Sequence, residues 1–338
     1  MLLSDLADKK ILILGFGREG QDSFLFLRKQ FPEKNIGVAD KKEFEEMAPE
    51  AQKLLNADLK VVLYFGDDYL KQLHAYGIII KPPGLPARVV NAALKKGQIL
   101  TTQTNLFFEN CPSTIIGVTG TKGKSTTSSL IYEVLKSAPQ LARGKQKGNV
   151  YLVGNIEQPV LTYLMGANEN DIFVYELSSA QLEIIKTSPH IAIFLNFYPE
   201  HLDFHGSLQA YLQAKTNITR FQTQADYFIY NETNEIVAKI AETTKAQTIK
   251  FKPKKQKNFA FIAAAEPVFA IGKIFDIPKE KIEKVVKKFK PLPHRLELVG
   301  THKGIAFYND SLATIPEATI AALDALGSNV QTLIAGGF

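Results

Sequence analysis

Short apolar runs alternate with amphipathic stretches along most of the chain. "KKILILGFGREGQDSFLFLRKQ" predicts a buried strand over Ile11–Leu14, a glycine turn and an amphipathic helix. "NIGVAD" predicts a second strand ending at Asp40, and "VVLYFG", "GIIIKPPGLP" and "GQILT" continue the strand signals. Helical patterns such as "ARVVNAALKKG" lie between them. Strands alternating with helices predict a parallel, doubly wound sheet, and this first unit closes near Pro112.

"STIIGVTG" begins a second α/β unit with another buried strand, followed by a long helix from about Ser125. "DIFVYELSS", "IAIFLNFYPEHLDFHGS", "ADYFIYNE" and "AQTIKF" supply its later strands. After the helical "KEKIEKVVKKFK", "PLPHRLELVG" reads as a linker. "GIAFYNDSLATIPEATIAALDAL" then predicts strand, loop and helix, and "VQTLIAGGF" one more strand. The expected domains are 1–111, 112–292 and 293–338, in keeping with a 338-residue chain too long for one core.

Composition changes this picture little. The net charge of +6 comes from lysines gathered in "KFKPKKQKN" and "KEKIEKVVKKFK", which read as a solvated loop and helix face; no nucleic-acid partner is expected. Cys111 is the only cysteine, which rules out an internal disulfide or a cysteine metal cluster. The N-terminus has no signal-peptide pattern, and no apolar run approaches the ~20 residues of a membrane span. A cytoplasmic monomer without membrane insertion is the expectation.

Two glycine clusters carry candidate chemistry. Gly15-Phe16-Gly17-Arg18-Glu19-Gly20 has the form G-x-G-x-x-G between a strand and a helix, with Asp40 twenty positions after Gly20. Such a turn offers backbone amides and a helix N-terminus to a diphosphate, whether of a nicotinamide cofactor or of a nucleotide sugar. Gly117 to Thr126, "GVTGTKGKST", places Lys124 and the hydroxyls of Ser125 and Thr126 at a helix start. Val118 stands where the common phosphate loop has its first glycine. Backbone amides there can cradle phosphates, Lys124 can reach the terminal phosphates, and Ser125 can ligate magnesium.

Glu176 emerges from the apolar strand Ile172–Tyr175, the usual position of a magnesium carboxylate in such a unit. His201, Asp203 and His205 form an H-x-D-x-H string that fits a metal cluster, a polar loop, or a site in which His201 alone acts. Lys215 lies in a helical pattern and by itself reads as solvated.

The ordered set "GFGREG", "GVTGTKGKST", "GNIEQP", "ELSSAQLE", "NFYPEHLDFHGSLQAYLQAK", "PHRLELV" and "NDSLAT" resembles the Mur ligase family over nearly the whole chain. That family's loop, T-G-T-x-G-K-[ST], matches Thr119 to Ser125 without the missing glycine. The resemblance implies an N-terminal Rossmann-like domain for a UDP-linked substrate, a central P-loop ATPase-type domain and an incomplete Rossmann-like third domain. It also implies ATP-dependent joining of D-glutamate to UDP-N-acetylmuramoyl-L-alanine through an acyl phosphate, with magnesium.

On the matching positions, Gly120, Thr121, Lys122, Gly123, Lys124, Ser125 and Thr126 would bind ATP with His294, Arg295 and Asp310. Ser125, Glu176, His201 and a carbamylated Lys215 would hold magnesium, with Lys124, His201 and Lys215 catalytic. Gly15, Gly17, Arg18, Glu19, Gly20, Asp40, Gly84 and Asn155 would bind the UDP substrate, removing the need for NAD.

The sequence departs from the family in places. "KNFAF" (Lys257 to Phe261) replaces an adenine-contacting asparagine segment, Leu312 stands at a lysine position, and Pro82-Pro83-Gly84 replaces "SPG". Roughly a hundred further residues are expected of the third domain, including the D-glutamate grip. The expectation is therefore a truncated or degenerate member with little turnover.

Overall fold

The computed structural model describes residues 1–138, 148–155, 159–253, 265–290, 292–314 and 316–336. The "KNFAF" departure lies outside them. The first sheet contains β1 (Ile11–Leu14), β2 (Ile36–Asp40), β3 (Val61–Phe65), β4 (Ile78–Lys81) and β5 (Ile99–Thr102). They pair in parallel in the order β3-β2-β1-β4-β5. Helices α1 (Arg18–Gln30), α2 (Pro49–Asn56), α3 (Ala87–Asn91) and α4 (Gln103–Asn110) connect or follow these strands. The helical pattern after Pro86 thus yields only five residues of helix.

The second sheet holds β6 (Thr114–Thr119), β7 (Val150–Gly154), β8 (Ile172–Glu176), β9 (Ile191–Phe194), β10 (Tyr227–Asn231) and β11 (Gln247–Phe251). Its order is β11-β10-β9-β6-β8-β7, again parallel. Its helices are α5 (Lys124–Lys136), α6 (Ser179–Leu182), α7 (Leu202–His205), α8 (Leu208–Arg220), α9 (Glu235–Ala241), α10 (Glu266–Ile274) and α11 (Lys279–Lys288). Strands β1, β4, β8 and β9 are buried at every residue, as continuous apolar runs are when helices cover both faces of a parallel sheet.

One apolar cluster runs through both sheets. It includes Ile13, Phe24 and Ile80 of the first and Phe173, Tyr175 and Phe194 of the second. Helix α4 is the joint, with the Phe107 ring centroid 4.9 Å from that of Phe173 and Phe108 5.5 Å from Tyr175. The loops after β1 and β6 lie at the carboxyl ends of their sheets, where strand order reverses and open α/β folds bind ligands.

The remaining residues form a hairpin, β12 (Glu297–His302) and β13 (Ile305–Asn309), and helix α12 (Pro316–Leu326). Two sequence expectations need correction here. "PLPHRLELVG" is not all linker, because a strand begins at Glu297 and pairs antiparallel with β13. Its signal was the turn Lys303-Gly304, with φ of 49° and 79°, a pair of left-handed residues of the kind that joins twisted hairpin strands. The strand expected in "VQTLIAGGF" is absent from Val330–Gly336, which has no strand partner among the described residues. None of the residues in 292–336 with described burial is buried, so this unit has no core of its own there.

Candidate nucleotide site

The loop between β6 and α5 is built to present backbone amides. Gly120 and Gly123 have φ of 155° and 85°, and Gly123 is the left-handed N-cap of α5 with no side-chain cap. The first amides of a helix lack intrahelical acceptors, so this N-terminus is open to an anion. Asn196, just beyond β9, fixes the loop from outside. Its Oδ1 accepts from the Lys122 amide at 2.8 Å, and its Nδ2 donates to the Lys122 carbonyl at 3.0 Å. Its own carbonyl accepts from the Thr121 amide at 2.9 Å.

Several charged side chains surround this loop. Lys124 Nζ donates to the carbonyls of Gly120 and Thr121, each at 3.0 Å. Lys215 Nζ donates to the same Gly120 carbonyl at 2.9 Å and lies 5.0 Å from the Tyr211 ring centroid. Lys215 is 1% exposed, which overturns its reading as a solvated lysine. Burial first, then the nearby Lys124 ammonium, pushes its pKa well below the ordinary lysine value. Burial also lowers Lys124.

Register places Glu176 beside Val118 at the loop's root. It is 1% exposed; Oε1 accepts from Asn155 Nδ2 at 3.2 Å, while Oε2 has no partner. A buried carboxylate oxygen left unpaired is costly, and a cation is the natural partner for it. Thr127 Oγ1 and Ser128 Oγ on α5 are also buried without partners.

The H-x-D-x-H residues do not converge. His201 adopts left-handed backbone (φ 55°, ψ 35°), an uncommon conformation for a non-glycine residue and a frequent mark of functional sites. Its ring lies 5.9 Å from that of Tyr211, whose ring centroid is also 5.0 Å from Lys215 Nζ. Burial lowers its pKa. His205 is buried and its Nε2 meets Ser179 Oγ at 2.9 Å, whereas Asp203 is exposed. Both histidine rings pack on Tyr211, that of His205 at 5.3 Å, and no group of three His, Cys, Asp or Glu side chains among the described residues is arranged to hold a metal.

Glu200 was missed in the sequence. Its Oε1 accepts from Lys122 Nζ at 2.9 Å and from Thr314 Oγ1 at 3.0 Å, and its Oε2 is 3.6 Å from His201 Nε2. Burial would raise this carboxyl, but the Lys122 bond outweighs it and the net shift is downward. Lys122 Nζ also donates to Thr314 Oγ1 at 2.7 Å. Nearby, Arg295 Nη2 donates to Ser125 Oγ at 3.0 Å. Asp310 Oδ1 accepts from the Leu296 amide at 2.9 Å, and burial raises its carboxyl. His294 Nδ1 meets Asn309 Nδ2 at 2.8 Å. Between this segment and the loop opens a cleft of about 930 Å3, lined by Lys122, Thr126, Asn231, Arg295, Asp310 and Leu312 among others.

The first glycine turn lies at the carboxyl end of β1. Gly20 has no room for a side chain, since a Cβ there would lie 2.1 Å from the Gly15 carbonyl oxygen. Asp40 secures the turn, accepting from the Phe16 amide at 2.7 Å and the Lys42 amide at 3.0 Å. Gly17 and Arg18 are exposed at the start of α1, and Gly84 is exposed after β4. Glu19 turns toward the second unit, where its Oε1 accepts from Gln181 Nε2 at 2.9 Å. Burial raises its carboxyl despite that bond. Lys81 at the end of β4, unnoticed in the sequence, is 3.2 Å from Glu183. Glu183 also accepts from the Ala87 amide at the start of α3.

Residues 118–303 match the Mur ligase middle domain. UDP-N-acetylmuramoylalanine--D-glutamate ligase of Streptococcus uberis is 34% identical over 360 residues, covering 98% of this chain and 77% of that protein. The enzyme of that name from Acetivibrio thermocellus is 32% identical over 365 residues, covering 98% and 76%. Among solved structures, MurF ligase from Thermotoga maritima in complex with ADP has a TM-score of 0.54 at 14% identity, covering 96% of this chain and 74% of that one. The meningococcal UDP-N-acetylmuramate:L-alanyl-gamma-D-glutamyl-meso-diaminopimelate ligase has a TM-score of 0.55 at 18% identity, covering 84% and 99%. Fold, loop and relatives agree: the chain belongs to the Mur ligase family.

Proposed function

We propose that the protein is an ATP-dependent amide ligase that joins D-glutamate to UDP-N-acetylmuramoyl-L-alanine. The observation that carries this is the meeting of an amide-presenting TGTKGKS loop, the unpaired buried oxygen of Glu176 and the buried Lys215 at the carboxyl end of the second sheet. The sequence relatives at 32–35% identity carry that activity in their names.

In this reading the first sheet, within 1–111, binds the UDP end at Gly15, Gly17, Arg18, Glu19, Gly20, Asp40 and Gly84. Asn155, bonded to Glu176, meets the muramoyl end. Gly120, Thr121 and Gly123 to Thr126 cradle the ATP phosphates within 112–292, and His294, Arg295 and Asp310 close the cleft from 293–338. The substrate carboxylate oxygen bonds to the γ-phosphorus as the bond to ADP breaks. The D-glutamate amine then attacks the acyl carbon, phosphate leaves, and the amine loses a proton.

The chain's contribution is charge placement around the phosphoryl group. Lys124 exchanges its loop carbonyls for phosphate oxygens. The donor set fits magnesium: the orphan oxygen of Glu176 with Ser125 on one side, and His201 with Lys215 as a carbamate on the other. Magnesium there would supply charge neutralisation for the phosphates. An ammonium cannot ligate a cation, and the lowered pKa of Lys215 favours the neutral amine that reacts with carbon dioxide.

Phosphate release from ATP tests the reading. It should require UDP-N-acetylmuramoyl-L-alanine and D-glutamate together. Hydrolysis indifferent to both, or tight NADH binding to the first sheet, would count against it.

A further inference from the structure

The two loop lysines do different things. Lys124 turns into the loop, whereas Lys122 turns outward to Glu200 and to Thr314 of the third unit. The Lys122 amide and carbonyl are both bonded to the Asn196 side chain, and its ammonium to Glu200 and Thr314, so each of these groups already has a protein partner. The hydroxyl of Thr314 completes a closed triangle by donating to Glu200 Oε1. Thr314 belongs to a unit with no buried side chain among residues of described burial, so polar ties rather than apolar packing hold it over the cleft.

We infer that Lys122, Glu200 and Thr314 form a latch that seats the third unit on the phosphate loop, with Lys122 a positioning residue rather than a phosphate ligand. This rests on the reading of the loop as the ATP site. Because Asn196 fixes residue 122 to the loop, displacement of the loop moves the lysine, and the lysine carries the third unit with it. Arg295 provides a second tie, from the same unit to Ser125 at the start of α5.

The test compares Lys122→Met, Lys122→Arg, Thr314→Val and the Met/Val double variant. Amide hydrogen exchange across 292–314, which includes the Leu296 and Leu312 amides, should rise by about two- to tenfold in Thr314→Val and in Lys122→Met. The double variant should rise no further, since both changes break one triangle. Lys122→Arg should keep part of the protection. Affinity for ADP with magnesium, measured by calorimetry, should stay within about threefold in both single variants.

Unchanged exchange in Thr314→Val would overturn the latch. So would a tenfold or greater loss of ADP affinity confined to Lys122→Met, which would make Lys122 a phosphate ligand. Failure of the parent protein to bind ADP would instead defeat the ATP reading, while the exchange comparison would still decide the latch.

Discussion

The ammonium of Lys81, fully buried at the end of β4, lies 3.2 Å from the carboxylate of Glu183, which is 17% exposed on the segment after α6. This pair joins the first sheet to the end of α6 in the second unit. Its two members are not equivalent. Removing Glu183 leaves a buried cation with only the Pro82 carbonyl, whereas removing Lys81 leaves a partly solvated carboxylate still bonded to the Ala87 amide.

Glu183→Ala should therefore destabilise by about 3 kcal/mol and Lys81→Met by clearly less, because an uncompensated buried charge dominates the cost. Denaturant unfolding of both variants checks this. Equal losses would mean that the pair acts symmetrically.

Lys215→Ala should lower ligation by about a hundredfold or more while ADP affinity changes little, since the side chain is read as acting on the reacting centre. Turnover of the parent should fall when bicarbonate is depleted and recover when it is restored. A parent indifferent to bicarbonate would argue against the carbamate.

Glu19 gives a pH signature. Its carboxyl is raised from the ordinary 4.5, so the fold favours its protonated form. The stability this contributes is present below about pH 4.5 and is lost as pH rises through the raised value. Glu19→Gln, neutral throughout and still able to accept from Gln181, should match the parent near pH 4 and exceed it in Tm near pH 7. A difference independent of pH would sink the assignment to this group.

Gly20→Ala should loosen the first turn, because its methyl would strike a backbone carbonyl that has no rotamer to escape into. A loss of about 2 kcal/mol and weakened UDP-substrate binding, with ADP binding kept, is the expected result.

The parts legible in the sequence were those where local pattern and chemistry agree. Buried strand runs gave both parallel sheets, and the glycine spacings located both turns at strand–helix junctions. What stayed hidden was whatever depends on distant partners. Lys81 looks like any strand-end lysine until Glu183, about a hundred positions later in the sequence, is brought beside it. Glu200 and Thr314 share no local motif, and their contact exists only because the third unit folds back on the loop. Lys215 sits one helical face away from exposure, and only the packing of α8 against the loop reveals its burial. The hairpin at Lys303-Gly304 was readable but was masked by the proline-rich stretch before it.

The Gly120 carbonyl accepts from two lysines, Lys124 and Lys215, and this gives the loop a reserve partner. Lys124 already spends its protons on Gly120 and Thr121, so an arriving anion must compete with two backbone oxygens rather than simply settle on a bare cation. Were Lys124 to turn from Gly120 toward an anion, the Lys215 nitrogen, which keeps an N–H even as a carbamate, would still be there to donate to that buried carbonyl. The loop can thus lose one lysine partner without leaving its buried oxygen bare.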